Sequence, residues 1–197
     1  MTESALDRRV VIRKLLADRG EMLVVSGLGG TTWDVASVGD DPLNFYVWGG
    51  MGGAASMGLG LALAQPDRRV LVVTGDGEML MGIGSLATIA LKAPANLAVV
   101  VIDNERYGET GMQETHTAHG VDLAGFATAA GIPTALTVSD SAGLDDLAAK
   151  LGDLKGPLFA TVKVTNNQGP MILPPRDAAY VKNRFRVALL GEQAAMR

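Results

Sequence analysis

Two apolar runs, Arg69 to Thr74 and Leu97 to Ile102, restrict what this chain can fold into more than any other feature. Both are nearly unbroken series of Val, Leu and Ile without polar alternation, the pattern of strands covered on both faces of a parallel sheet. Parallel neighbours need a crossover, and the spacing between the runs predicts a helix over Ile83 to Lys92. The first run ends in Gly75-Asp76-Gly77 and the second in Asp103-Asn104. A carboxylate and an amide oxygen therefore fall at neighbouring strand tips, where open parallel sheets bind their ligands.

The remaining pattern extends the same architecture. Leu6, Val10, Val11 and Leu15 fit a helix ending before Gly20, and Met22 to Val25 reads as a strand. A glycine-rich loop from Ser26 to Thr32 follows, with a short helix through Ala36. Phe45 to Trp48 reads as a strand and Gly52 to Ala64 as a close-packing helix. Helices are predicted near Asp122 to Ala130, Ala142 to Leu151 and Ala178 to Leu190, and strands near Ala135 to Val138 and Leu158 to Val164. Strands alternating with helices, without a repeat or linker, imply a single α/β domain over residues 1–197: a doubly wound, mainly parallel sheet flanked by helices on both faces.

Composition excludes several classes. Of 197 residues, 48% are hydrophobic and 19% charged, so the chain is globular rather than disordered. Leu97 to Ile102 is too short to span a bilayer, and MTESALDRR lacks an apolar signal core, so no membrane partner and a cytoplasmic location are expected. The absence of cysteine excludes a disulfide framework and a cysteine-held iron–sulfur cluster. A net charge of −4 with scattered Lys and Arg gives no field for nucleic acid.

A hard cation such as Mg2+ takes oxygen ligands and shares them with phosphate. Asp76 and Asn104 suit a cation bridging a diphosphate, and Gly77 lets backbone amides approach the anion. Gly75-Asp76-Gly77 with Asn104 placed 28 residues after Asp76 resembles the GDG…N signature of thiamine-diphosphate enzymes. Trp48-Gly49-Gly50-Met51-Gly52 resembles the motif preceding it there. Within that superfamily the stretch from Met22 to about Leu190, including Tyr107 to Thr117 and the proline-rich segment after it, is similar to the β subunit of sulfopyruvate decarboxylase and the C-terminal domain of phosphonopyruvate decarboxylase.

The resemblance implies specific roles. Asp76, Asn104 and the Arg106 carbonyl would hold Mg2+. Ser26, Gly27, Gly75, Gly77 and Glu78 would line the diphosphate, the Gly49 carbonyl beside Gly50 would accept from the aminopyrimidine, and Met51 would be the apolar wedge that bends the cofactor. Methionine has the bulk and adaptability for that task. The family also uses a glutamate on a separate pyrimidine-binding domain. This chain has no room for that domain, so an α subunit supplying the glutamate, and hence a hetero-oligomer, is expected. The implied reaction is decarboxylation of a small anionic 2-oxoacid to an aldehyde. Asp103 and Glu105-Arg106 depart from the family's Asn-Asn pair and smaller residues, leaving the substrate and the aldehyde's fate open.

His116 and His119 are the only histidines. Each has an ordinary reading as a surface-loop residue, but imidazole titrates near neutrality, and His116 is the better choice for a catalytic proton donor. Two further readings stay open. One is a non-catalytic partner that keeps the cofactor fold. The other is a nicotinamide module, because Gly50 to Ala55 fits GxGxxA after a strand and Asp76 follows about 20 residues later, as a ribose-binding acid does.

Overall fold

The computed structural model describes residues 6–195, so the start of the MTESALDRR segment lies outside the described residues. Strands β1 (Leu23–Ser26), β2 (Asn44–Tyr46), β3 (Val70–Gly75), β4 (Leu97–Asp103), β7 (Thr134–Val138) and β8 (Leu158–Lys163) form one parallel sheet in the order β2-β1-β3-β4-β8-β7. A small antiparallel ribbon, β5 (Arg106–Tyr107) with β6 (Gln113–Glu114), stands beyond the tip of β4. The predicted doubly wound sheet is the observed one.

Helices α1 (Arg8–Leu15), α2 (Gly30–Ser37), α3 (Ala54–Ala64), α4 (Asp76–Met81), α5 (Ser85–Lys92), α6 (Leu123–Ala130), α7 (Ser141–Gly152), α8 (Ala178–Leu190) and α9 (Glu192–Ala195) complete the chain. Val24, Leu71, Val73, Val100 and Val162 pack with Val11 and Ile12 of α1 and Leu147 of α7. Their strand neighbours Val25, Val72, Val99 and Phe159 turn to the other face, against Leu59 of α3, Leu86 and Ile89 of α5 and Leu123 of α6. This division follows from the pleat, which sends successive side chains to opposite faces. Strands without polar alternation thus fill two cores at once.

Local chemistry sets the helix ends. The Asp7 carboxylate accepts from the amides of Arg9 and Val10, and those of Asp122, Asp140 and Asp177 cap α6, α7 and α8 in the same manner. Two helix starts differ from the sequence expectation. Helix α2 begins at Gly30, inside the expected loop, and α4 begins at Asp76, directly from the strand tip. Glycine and Asp-Gly ordinarily punctuate a chain as turns, and here they open helices.

The chain runs from β1 to the edge strand β2 and then crosses back to β3 on the other side of β1. The strand order therefore reverses between β1 and β3. Loops leaving the carboxyl ends of these strands must diverge, and that leaves a crevice. Among the described residues no helix is long and apolar enough to cross a membrane.

Candidate cofactor site at the strand tips

A cleft of about 150 Å³ opens at this switch point. Asp76, Gly77, Asn104 and Met51 border it, so residues expected from two distant motifs meet at one place. Asp76 is 2% exposed, and no cationic side chain pairs with it among the described residues. Its Oδ2 accepts from the Thr115 hydroxyl and, at 3.2 Å, from the Thr117 hydroxyl. Burial pushes the Asp76 carboxyl up to about 6, against the Thr115 hydrogen bond and with a further push from the charge on Asp103. A carboxylate held this way lacks a counter-charge, which a divalent ion would supply.

Asn104 is buried beside it, and its Oδ1 accepts from the Arg106 amide at 3.2 Å, with a second lone pair left over. Between them Glu105 adopts φ +61, a left-handed conformation unusual for a side chain of this size. Two contacts hold it: the Glu105 amide donates to Asp103 Oδ1 at 3.1 Å, and its carboxylate pairs with Lys163. The Arg106 side chain borders the cleft and reaches Glu114 at 3.1 Å. The described residues contain no group of three His, Asp or Glu able to hold a metal by themselves. A cation here would need amide and backbone oxygens, and phosphate, to fill its shell.

Glu78 also borders the cleft. It is buried in the first turns of α4, and its carboxylate accepts from the Leu28 amide at 3.1 Å, the Thr74 hydroxyl at 2.9 Å and the Gly52 amide at 3.3 Å. Burial raises its pKa, with the Thr74 and backbone hydrogen bonds opposing. This one side chain joins the loops after β1 and β2 to the tip of β3. Its carboxylate also fills the space beside Gly27, where a Cβ would overlap Oε2. Only glycine permits that approach.

The loop after β1 forms one wall of the cleft. Ser26 is buried and shares a 2.9 Å hydrogen bond with Thr32, and Gly27 faces Glu78; the wall is made by Leu28, Gly29, Gly30 and Thr31. Gly75 and Gly77 border the cleft, with the Tyr107 ring against Gly77. Gly49 has φ +73, and its carbonyl accepts no hydrogen bond among the described residues. Gly50 turns its carbonyl to the Gly53 amide at 2.9 Å. Met51 is 37% exposed, which is high for a thioether at a cleft mouth.

His116 lies on a 3-10 turn (His116–His119), exposed and outside the cleft wall, while His119 reaches Glu114 at 3.0 Å. Sequence reading missed Thr115 and Thr117, which lie 39 and 41 residues from Asp76 in the chain. It also missed Arg8, which borders the cleft from α1. The Thr-x-Thr spacing was visible, but without a partner it carries no chemistry. The dinucleotide reading fits the topology poorly: Gly50 to Ala55 follows the edge strand β2, whereas a dinucleotide's glycine turn follows a strand flanking the reversal, here β1 or β3.

Comparison with known proteins agrees with this geometry. Residues 29–162 match the family model described as thiamine pyrophosphate enzyme, C-terminal TPP binding domain. The chain is 36% identical over 180 residues to the sulfopyruvate decarboxylase subunit beta of Methanothermobacter thermautotrophicus, covering 91% of this chain and 94% of that protein. It is 41% identical over 181 residues to the phosphonopyruvate decarboxylase of Streptomyces viridochromogenes, covering 91% of this chain but 45% of that protein. The crystal structure of benzoylformate decarboxylase from Polynucleobacter necessarius shares the fold with a TM-score of 0.68 at 20% identity, over 84% of this chain and 34% of that one. The chain belongs to the thiamine pyrophosphate enzymes, as a member of their C-terminal TPP-binding domain family.

Proposed function

We propose that the chain, as one thiamine-diphosphate-binding domain, is the β subunit of a heteromeric, Mg2+-dependent 2-oxoacid decarboxylase. The observation that carries this reading is the buried Asp76 carboxylate, without a cationic partner among the described residues, beside Asn104 at the switch-point cleft. That donor set suits a hard cation: the Asp76 carboxylate, the Asn104 amide oxygen and the Arg106 carbonyl would hold Mg2+, which would offset the charge of a diphosphate. Gly77 and the loop from Gly29 to Thr31 would offer backbone amides to the diphosphate. Met51 and the Gly49 carbonyl would hold the ring end of the cofactor.

Thiamine diphosphate, when bound, supplies a nucleophilic carbon and an electron sink for the loss of carbon dioxide. Residues of this chain orient it and exclude water. Carbon dioxide leaves the 2-oxoacid, one proton is taken up at the former carbonyl carbon, and an aldehyde departs. His116 is assigned as the donor of that proton, acting from the exposed turn once a partner covers it.

The methanogen relative is named as a subunit, whereas this chain spans less than half of the phosphonopyruvate decarboxylase. An α subunit of similar size, carrying the glutamate for the pyrimidine ring, accounts for both facts. A small 2-oxoacid with a second acid group, 3-sulfopyruvate or 3-phosphonopyruvate, is the substrate these relatives favour. Calorimetric titration of thiamine diphosphate with Mg2+ into the chain plus its partner tests the reading. Uptake together with carbon dioxide release from either acid is expected; no uptake would overturn it.

A further inference from the structure

Pro170-Met171-Ile172-Leu173-Pro174-Pro175 lies between β8 and α8, outside any helix or strand. Met171, Ile172 and Leu173 are 59%, 37% and 48% exposed, and among the described residues no other large apolar side chains stand in solvent in succession. Three in a row add nothing to the chain's own packing, which marks a surface that another molecule covers. None of the six residues is charged. Met171, Ile172 and Leu173 also make no backbone hydrogen bonds among the described residues, so their amides and carbonyls are free to pair as well.

The segment is exposed but fixed. At one end the Arg9 guanidinium donates to the Pro170 carbonyl, and at the other the Trp48 indole donates to the Pro175 carbonyl at 3.0 Å. Pro174 is buried, and it keeps Leu173 before it in an extended conformation. A strap held this way has less freedom to lose on binding than an open loop. Both of its ends reach the rim of the cofactor cleft. Gln168, two residues before Pro170, borders the cleft and donates to Met112 Sδ at 3.3 Å. Trp48 directly precedes the turn that brings Met51 to the cleft. Met51 and Met112 are each 37% exposed, so apolar surface continues from the strap to the cleft mouth.

We propose that Pro170 to Pro175 is a docking strap for the α subunit, which receives Met171, Ile172 and Leu173 in an apolar groove and pairs with the extended backbone between the prolines. The inference rests on the two-subunit reading of the chain. A subunit that closes the cleft over Met51 stands within reach of a strap tied to Trp48 and following Gln168. One partner then covers cleft and strap in a single continuous interface.

Hydroxyl-radical footprinting and sedimentation of the chain, alone and with its α subunit, test the strap. In the chain alone the three side chains should label freely at every concentration. In the complex their labelling should fall roughly tenfold, as for side chains in the core of an interface. Ile172→Asp and Met171→Ser/Leu173→Ser should each weaken association about thirtyfold or more, the scale of an interface hot spot. Thermal unfolding of the variant chains alone should match the wild type, because the replaced side chains are exposed. Full labelling of the strap within a wild-type complex, or wild-type association by both variants, would overturn the proposal and leave the two-subunit reading standing. Protection that grows with concentration in the chain alone would make a second copy the occupant and overturn it too. A wild-type chain that forms no complex and stays labelled would remove the two-subunit reading, and the strap's role with it.

Discussion

Asp103 and Lys163 occupy the same register position on the adjacent strands β4 and β8, with Lys163 Nζ 3.0 Å from Asp103 Oδ2. Asp103 is 1% exposed, and its other oxygen accepts from Thr117 at 2.8 Å. The same Thr117 hydroxyl reaches Asp76. The single Thr117 proton serves one of these two buried acids at a time, and Lys163 neutralises the one that does not face the cleft. Burial works against the charge on Lys163, but its hydrogen bonds to Glu105 and Asp103 outweigh that and raise its pKa.

Lys163→Met should destabilise the chain by about 1–3 kcal/mol, because Asp103 stays buried without its partner; the lysine is one-third exposed, which favours the lower end. Urea unfolding measures the loss. Adding Asp103→Asn should recover most of it, since an amide still accepts from Thr117 without needing a counter-charge. A single variant as stable as the wild type would show that Asp103 is already satisfied by its hydrogen bonds.

Gly27→Ala probes Glu78 from outside. The added methyl group overlaps Glu78 Oε2 and forces the carboxylate away from the Leu28 and Gly52 amides. Breaking these buried contacts should cost about 2–4 kcal/mol. Cofactor affinity should fall as well, because the loops after β1 and β2 lose their common anchor. Gly60→Ala in α3, where a Cβ meets nothing, serves as the control and should stabilise by roughly 0.5–1 kcal/mol. Thermal unfolding of both variants, with and without cofactor and Mg2+, distinguishes a local clash from a general intolerance of glycine replacement.

The parts of the site that could be read from the sequence are those written in consecutive residues. Val70 to Val73 and Leu97 to Ile102 are strands because nothing in them suits solvent, and the chain beyond their ends carries Asp76 and Asn104 by simple continuation. What escaped was set by chain crossing. Thr115 and Thr117 reach Asp76 only because the β5–β6 ribbon folds back over the tip of β4, and two threonines say nothing of that in advance. Arg8 belongs to a helix whose pattern predicts packing alone. Its place beside Gly30 depends on α1 and α2 meeting on one face of the sheet. The contacts of Glu78 were hidden for a related reason: α4 starts at Asp76, so the side chain two residues on turns back into the loops.

Asp76 links stability to pH with a definite sign. Its folded-state pKa of about 6 lies above the ordinary 3.8, so between these values the folded chain holds a proton that the unfolded chain has released. Ligand-free stability must fall as pH rises through that window and remain lower above it, by about 2–3 kcal/mol from this group alone. Asp76→Asn removes the penalty while keeping an oxygen that accepts from Thr115 and Thr117. At neutral pH the ligand-free variant should therefore be the more stable protein, by about 1–3 kcal/mol. It should also lose the stabilisation that Mg2+ and thiamine diphosphate give the wild type, because the amide no longer offsets the charge of the ion. For the wild type that stabilisation should grow as pH rises past about 6, the reverse of the ligand-free trend, since the metal selects the ionised carboxylate. Calorimetric scans from acid to neutral pH, with and without cofactor, measure both slopes. If the variant proved less stable than the wild type at neutral pH, the Asp76 carboxylate would have to be satisfied within the ligand-free fold, and its need for a cation would disappear.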